Sequence, residues 1–92
     1  MKNNIMITAN EKLIVYKNSV RKTPTEGCYS AKGLYCTREN GKWQPDFEVF
    51  AFFAGNKPQR DNCICWKQGE PEEAYSIMET YIEEYMLQSG AA

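Results

Sequence analysis

Four cysteines, Cys28, Cys36, Cys63 and Cys65, are the side chains of this 92-residue sequence best suited to covalent or metal chemistry. The sequence has no histidine, so the commonest general base and the commonest metal ligand are both missing. Any zinc site would have to be built from four thiolates. Such sites usually take their ligands in pairs from Cys-x-x-Cys turns, whereas here seven residues separate Cys28 from Cys36 and one separates Cys63 from Cys65. On an extended strand the latter two fall on the same face about 6.6 Å apart along the chain, a poor start for a zinc knuckle. A disulfide from Cys28 to Cys36, or across neighbouring strands, is geometrically open. The stretch Met1 to Thr8, however, is too short in apolar residues for a signal peptide, which points to a non-secreted chain in a reducing compartment. Buried free thiols acting as small apolar residues are the default reading.

Other chemistry has as little to build on. A cysteine nucleophile needs a neighbouring base, and only carboxylates, lysines and tyrosines are present. The carboxylates gather on a helix that faces water, which gives a paired-carboxylate hydrolase no basis. Ala54-Gly55-Asn56-Lys57 has neither the spacing nor the hydroxyl residue of a Walker-type phosphate loop. No catalytic residue, metal or cofactor is expected, and surface recognition is what remains. The twelve aromatic residues exceed what one small core requires. Several adjoin bases, as in Tyr16-Lys17, Lys42-Trp43, Trp66-Lys67 and Tyr35 close to Arg38. Aromatic faces interleaved with Lys and Arg hold single-stranded nucleic acid through stacking and phosphate neutralisation, and they also form protein hot spots. The opposing reading buries Trp43 and Trp66 at the edge of the core, with their lysines snorkelling.

The elements that must position these groups follow from local patterns. With 42% hydrophobic and 25% charged residues, the chain has the composition of one compact domain spanning 1–92. No apolar run approaches the roughly 20 residues of a membrane helix. Ile5 to Thr8 and Leu13 to Tyr16 read as a first hairpin. Asn18 to Gly27, interrupted by Pro24, reads as a polar loop carrying Arg21 and Lys22. Cys28 to Thr37 resumes strand character, with Gly33 marking a bulge, and Asn40-Gly41 predicts a tight turn into Asp46 to Ala54. That last strand puts Phe47, Val49, Ala51 and Phe53 on one face and Phe50 and Phe52 on the other, so it belongs inside the sheet or under a cover. A second polar loop, Gly55 to Asp61, carries Lys57 and Arg60 before a final strand, Asn62 to Gln68. A helix follows, from Pro71 at its first position to a stop at Gly90. Ile77, Met78, Tyr81 and Ile82 are its expected buried residues, each contributing about 1.5 to 3 kcal/mol as an upper bound. The fold class is therefore α+β: an antiparallel sheet of four to five strands with one C-terminal amphipathic helix packed on it.

Charge divides along the chain. Eleven bases against six acids give residues 1–69 a charge of +5, while the six glutamates and no base of residues 70–92 give −6. One end is suited to phosphate or acidic protein and the other to basic groups. Alternatively, the acidic helix simply solvates the domain and pairs with the basic sheet. Glu83 and Glu84 lie near the C-terminal, negative end of the helix dipole, and Glu79 with Glu83 is a like-charge pair one turn apart; a basic partner or basic sheet residues would compensate them.

In kind, the chain resembles the small phage-encoded anti-CRISPR proteins, in particular inhibitors of the type I-F surveillance complex. The features shared are a stand-alone α+β domain of under a hundred residues, no histidine, a basic sheet-and-loop portion (Lys17, Arg21, Lys22, Lys32, Lys57, Arg60), an acidic tail helix (Glu79, Glu83, Glu84) and the opening Met1-Lys2-Asn3-Asn4-Ile5-Met6. These inhibitors share no short fingerprint, so no residue is carried over by motif and the contact residues come from the charge map alone. The resemblance implies a stoichiometric binder in the cytoplasm of an infected bacterium. It would contact the repeated backbone subunits and guide RNA of the surveillance complex and block hybridisation of target DNA, with no small-molecule substrate. The alternatives are a stand-alone single-stranded nucleic-acid-binding module and a cysteine-metal regulatory domain.

Overall fold

In the computed structural model, which describes residues 2–88, the chain runs β1 (Lys2–Thr8), β2 (Glu11–Tyr16), β3 (Arg21–Lys22), β4 (Cys28–Glu39), β5 (Lys42–Ala54), β6 (Cys63–Lys67) and α1 (Pro71–Gln88), with 3-10 turns at Lys17–Ser19 and Arg60–Asn62. The architecture is α+β, one antiparallel sheet in the order β1-β2-β4-β5-β6 with the helix against it. The helix stop assigned to Gly90 lies outside the described residues.

The β4–β5 hairpin is the spine. Asn40 (φ 52°) and Gly41 (φ 76°) both take the left-handed conformation at its tip, as a tight hairpin turn with the twist of the strands requires. At about 3.3 Å per residue, the 13 residues of β5 account for the 43 Å long axis of the molecule. β5 has β4 on one side and β6 on the other only from Phe50 to Phe53. Its distal part is therefore a free edge, and Pro45 sits there, where a missing N–H costs no ladder bond.

The sheet has two buried faces. Ile5, Leu13, Val15, Ala31, Val49, Ala51 and Phe53 form a core on the concave side. There the sheet curls until β1 meets the Arg60–Asn62 turn. Cys28, Phe52, Ile64 and Cys65 form a second core on the other side, under Ala74 and Ile82 of the helix. Alternation along β5 produces both, since Val49, Ala51 and Phe53 point one way and Phe52 the other. Gly33 is not at a bulge. It pairs regularly with Val15 and Val49, and a Cβ there would stand 3.0 Å from the Ile14 carbonyl oxygen. The glycine marks a close backbone approach where the sheet curls.

The helix is rotated relative to the expectation from its sequence. Ala74, Tyr75, Met78, Ile82, Tyr85 and Met86 pack on the sheet, while Ile77 and Tyr81 are 59% and 57% exposed. Two contacts hold this rotation: the Phe52 and Tyr75 rings meet edge-on at 6.1 Å, and the Tyr75 hydroxyl hydrogen-bonds the Thr25 hydroxyl at 2.5 Å. The helix overlies chiefly β6, β5 and part of β4, so its apolar stripe is wider than the surface that covers it.

Candidate binding surface

Arg21 and Lys22 are not in a loop. Their backbone pairs with Ser30 and Tyr29 as β3, which continues the line of β2 along β4. Between Val15 opposite Gly33 and Arg21 opposite Ser30, six steps on one strand answer three on the other, and the surplus is taken up by the Lys17–Ser19 turn. Ser19 pins that turn to β4: its Oγ donates to the Tyr16 carbonyl at 2.5 Å and accepts from the Lys32 N–H at 2.8 Å. Pro24 comes after the paired residues, so it ends β3 without preventing it.

This insertion places the basic residues. Lys17 and Lys57 line one open cavity of about 460 Å³, walled by Val20, Asn56, Pro58 and Gln59. On the other side of the same segment, Arg21 and Lys22 rim a cavity of about 370 Å³ whose interior is Ser30, Phe50, Phe52 and Tyr75. Arg21 Nη1 donates to the carbonyls of Asn18 (3.0 Å) and Val20 (2.8 Å), which holds the guanidinium against its own turn. Arg60 is exposed in the 3-10 turn that follows Lys57. Lys32 stands apart, since its ammonium pairs with Glu48 at 3.5 Å. That is the one ion pair among the described residues, so the glutamates of α1 are not matched by bases of the sheet. Glu79, Glu83 and Glu84 are all exposed.

The aromatic residues beside bases separate into two groups. Trp66 and Tyr35 face the concave core, and Tyr35 stacks between Phe47 (5.1 Å) and Trp66 (6.2 Å). The Tyr35 hydroxyl donates to the Glu11 carboxylate. That bond raises the phenol from its ordinary value near 10 to about 12, since ionising it would set two anions together. Trp43 lies on the opposite face, with the Lys12 ammonium 4.6 Å and the Arg38 guanidinium 5.8 Å from its ring centre. Arg38 therefore adjoins Trp43, not Tyr35. The cation–π pair of Lys12 with Trp43 has no sequence signal, because the two residues meet only through the β2–β4–β5 pairing.

All four cysteines are free thiols. Cys63 and Cys65 do not share a face: Phe52 pairs with Cys65 and Phe53 with Cys63, so Ile64 is an extra residue and the bulge turns Cys63 to the concave core and Cys65 to the helix side. Burial pushes the Cys63 thiol up to about 11 and, with the neighbouring Cys63 and Cys28, the Cys65 thiol up to about 12. Burial also raises Cys28, partly offset by a hydrogen bond with Thr23. Thiols held protonated in this way are weak nucleophiles and weak metal ligands near neutral pH. Among the described residues no group of three or more Cys, Asp or Glu is placed to hold a metal ion, and no helix is long and apolar enough to cross a membrane.

Comparison of the chain with known protein families, with curated proteins and with solved structures yields no match.

Proposed function

We propose that this protein acts by occupancy: it is a stoichiometric inhibitor that seats its basic end on a CRISPR-Cas surveillance complex of the type I-F class, against backbone subunits and guide RNA, and so prevents target DNA from pairing. The observation that carries this reading is the gathering of Lys17, Arg21, Lys22 and Lys57 around two cavities on either side of one short segment, with no helix glutamate paired to them. Unneutralised cations crowded at one end of a domain attract phosphate or acidic protein. Lys32 contributes less than the other five, because Glu48 already pairs with it. The reading is tested by titrating the protein into purified surveillance complex and following target-DNA binding. Inhibition should rise linearly and stop at a fixed molar ratio. Progressive inactivation by substoichiometric protein, or no inhibition at any ratio, would refute it.

A second reading, a stand-alone module for single-stranded nucleic acid, draws on Trp43 with Lys12 and Arg38 over its ring. Free RNA bound as tightly as the complex, with a steep salt dependence, would favour it.

A further inference from the structure

The 370 Å³ cavity between β3 and the start of α1 has an unusual lining for a surface hollow. Phe52 forms a fully buried floor, and Phe50 and Tyr75 are half-buried walls that still present ring surface. Ser30 is the buried polar residue of the described core, 6% exposed. Its neighbours in the lining, Ser19 and Thr23, spend their hydroxyls on backbone partners, whereas the Ser30 hydroxyl makes no hydrogen bond among the described residues. Among the described residues no buried side-chain oxygen or nitrogen lacks a partner, so the Ser30 hydroxyl reaches the solvent of the cavity, where an occupant can take the place of water as its partner. The volume falls in the range of small-ligand sites.

Charge around the rim is arranged by side. Arg21 and Lys22 stand on the β3 side. Phe50 also borders a second hollow, and there Glu48 and Glu70 stand beside Lys32. An occupant with an anionic group is therefore oriented, its charge toward β3 and its apolar body between Phe50 and Tyr75. Glu72, at the helix side of the rim, offers an acceptor for an amino group on that body.

We propose that this cavity takes one unstacked nucleotide of a single strand, the base between Phe50 and Tyr75 with an edge on Ser30, and the phosphate on Arg21 and Lys22. A planar heteroaromatic ring with hydrogen-bonding edges and an attached anion meets each feature of the lining. A phenylalanine side chain would leave Ser30 unsatisfied. The inference deepens the nucleic-acid contact in the proposed function and rests on it for the choice of a strand over a peptide.

The test is fluorescence anisotropy of a labelled eight-nucleotide single-stranded RNA with the purified protein at two salt concentrations. It is accompanied by amide chemical-shift mapping with adenosine monophosphate and, separately, with a short Glu- and Tyr-rich peptide. The strand should bind, and Phe50→Ala should weaken binding by about fivefold to a hundredfold, the usual worth of one stacked base. Ser30→Val, which keeps a good strand former in β4, should cost about two- to tenfold. Arg21→Ala with Lys22→Ala should flatten the logarithmic salt slope by about one, since the two residues share one phosphate. Thermal unfolding is measured for every variant. Should Phe50→Ala fail to fold, Ser30→Val and the rim variant decide. Adenosine monophosphate should shift the Ser30 and Tyr75 amides, which assigns the site to the nucleotide itself. Shifts there with the peptide and not the nucleotide, or strand affinity unchanged in Ser30→Val and in the rim variant, would overturn the proposal. Inhibition of the surveillance complex by a protein that binds no nucleotide would remove this inference and leave the inhibitor reading standing. Nucleotide binding without inhibition would do the reverse.

Discussion

Replacing Ile82 and Ile77 by alanine, one at a time, sets two identical side chains of one helix against each other. Ile82 is fully buried against the Phe52–Cys65 core, and Ile77, five residues earlier, is 59% exposed. Ile82→Ala removes buried methyl groups and leaves a cavity roofed by the helix and floored by the sheet, which costs about 2–5 kcal/mol. Alanine returns a few tenths through its better helix propensity, at most about 0.7 kcal/mol, so about 1.5–4.5 kcal/mol remains. Ile77→Ala loses little burial and gains the same propensity, so its effect should stay within about 0.5 kcal/mol in either direction. For a domain of this size 1 kcal/mol moves Tm by about 4–8 °C. The first variant should therefore melt at least about 6 °C below the wild type, and the second within about 4 °C of it. Urea unfolding followed by tryptophan fluorescence and by circular dichroism measures both, with m-values checked for constancy. Equal losses, or a larger loss at Ile77, would show the helix turned onto the face that includes Ile77 and Tyr81. The account of the second core would then be wrong.

Tyr35→Phe should change the alkaline limb of stability. The folded phenol is raised to about 12, so the unfolded chain, ionising near 10, releases its proton first. The Tyr35 contribution is full below about pH 10 and is lost as pH rises toward 12. Denaturant midpoints from pH 8 to 11.5 should fall in the wild type and fall less steeply in the variant, and parallel curves would refute the assignment. Cys28, Cys63 and Cys65, whose thiols burial raises, should be silent to a disulfide reagent at pH 8 in native protein, with all four cysteines titrating on unfolding without reductant; more than one fast native thiol would contradict this. On the inhibitor reading, Lys32→Ala should leave affinity for the surveillance complex within about threefold, because the Glu48 carboxylate 3.5 Å away offsets the charge that Lys32 presents to a partner. Lys17→Ala with Lys57→Ala should lower affinity and reduce its salt dependence, read by titration at two ionic strengths. A larger loss at Lys32 would invert the ranking of the basic residues.

Local signals carried the hairpins. Asn40-Gly41 announces its turn because few other dipeptides accept positive φ twice, and the two-sided apolar pattern of Phe50 to Phe53 announces a strand covered on both faces. What no local pattern holds is register. The bulge at Ile64 places Cys63 and Cys65 on different faces although their spacing puts them on one, since a one-residue slip exchanges every face beyond it. Pro45 was the available sign that β5 is partly an edge. For β3, Pro24 weighed against pairing, but a two-residue strand needs only the ladder of β4 and a pinned turn before it, and Ser19 supplies that from a residue type that ordinarily marks a loop.

The charge map was legible as composition and misleading as geometry. Six bases stood equal in the sequence, yet β4–β5 pairing brings Glu48 to Lys32, while the surplus residues at Lys17–Ser19 set Lys17 in one hollow with Lys57 and leave Arg21 and Lys22 of β3 at the border of another. The hollow that these last two rim is assembled from β3, Ser30 of β4, Phe50 and Phe52 of β5, and Tyr75 of α1. Each has an ordinary local explanation: Ser30 as a polar strand residue, Phe50 and Phe52 as sheet packing, Tyr75 as part of an amphipathic stripe. Their joint meaning arises from one misfit. The helix covers the Cys28–Phe52–Cys65 end of the sheet and stops short of β3, so two phenylalanines that alternation sends to the same face receive unequal cover, Phe52 fully buried and Phe50 half-buried. A longer β3 or a helix shifted by one turn would close the gap and bury Ser30 without a partner. The fold leaves it open with Arg21 and Lys22 on the β3 side and Glu72 on the helix side, and that asymmetry would orient an occupant carrying an anionic group.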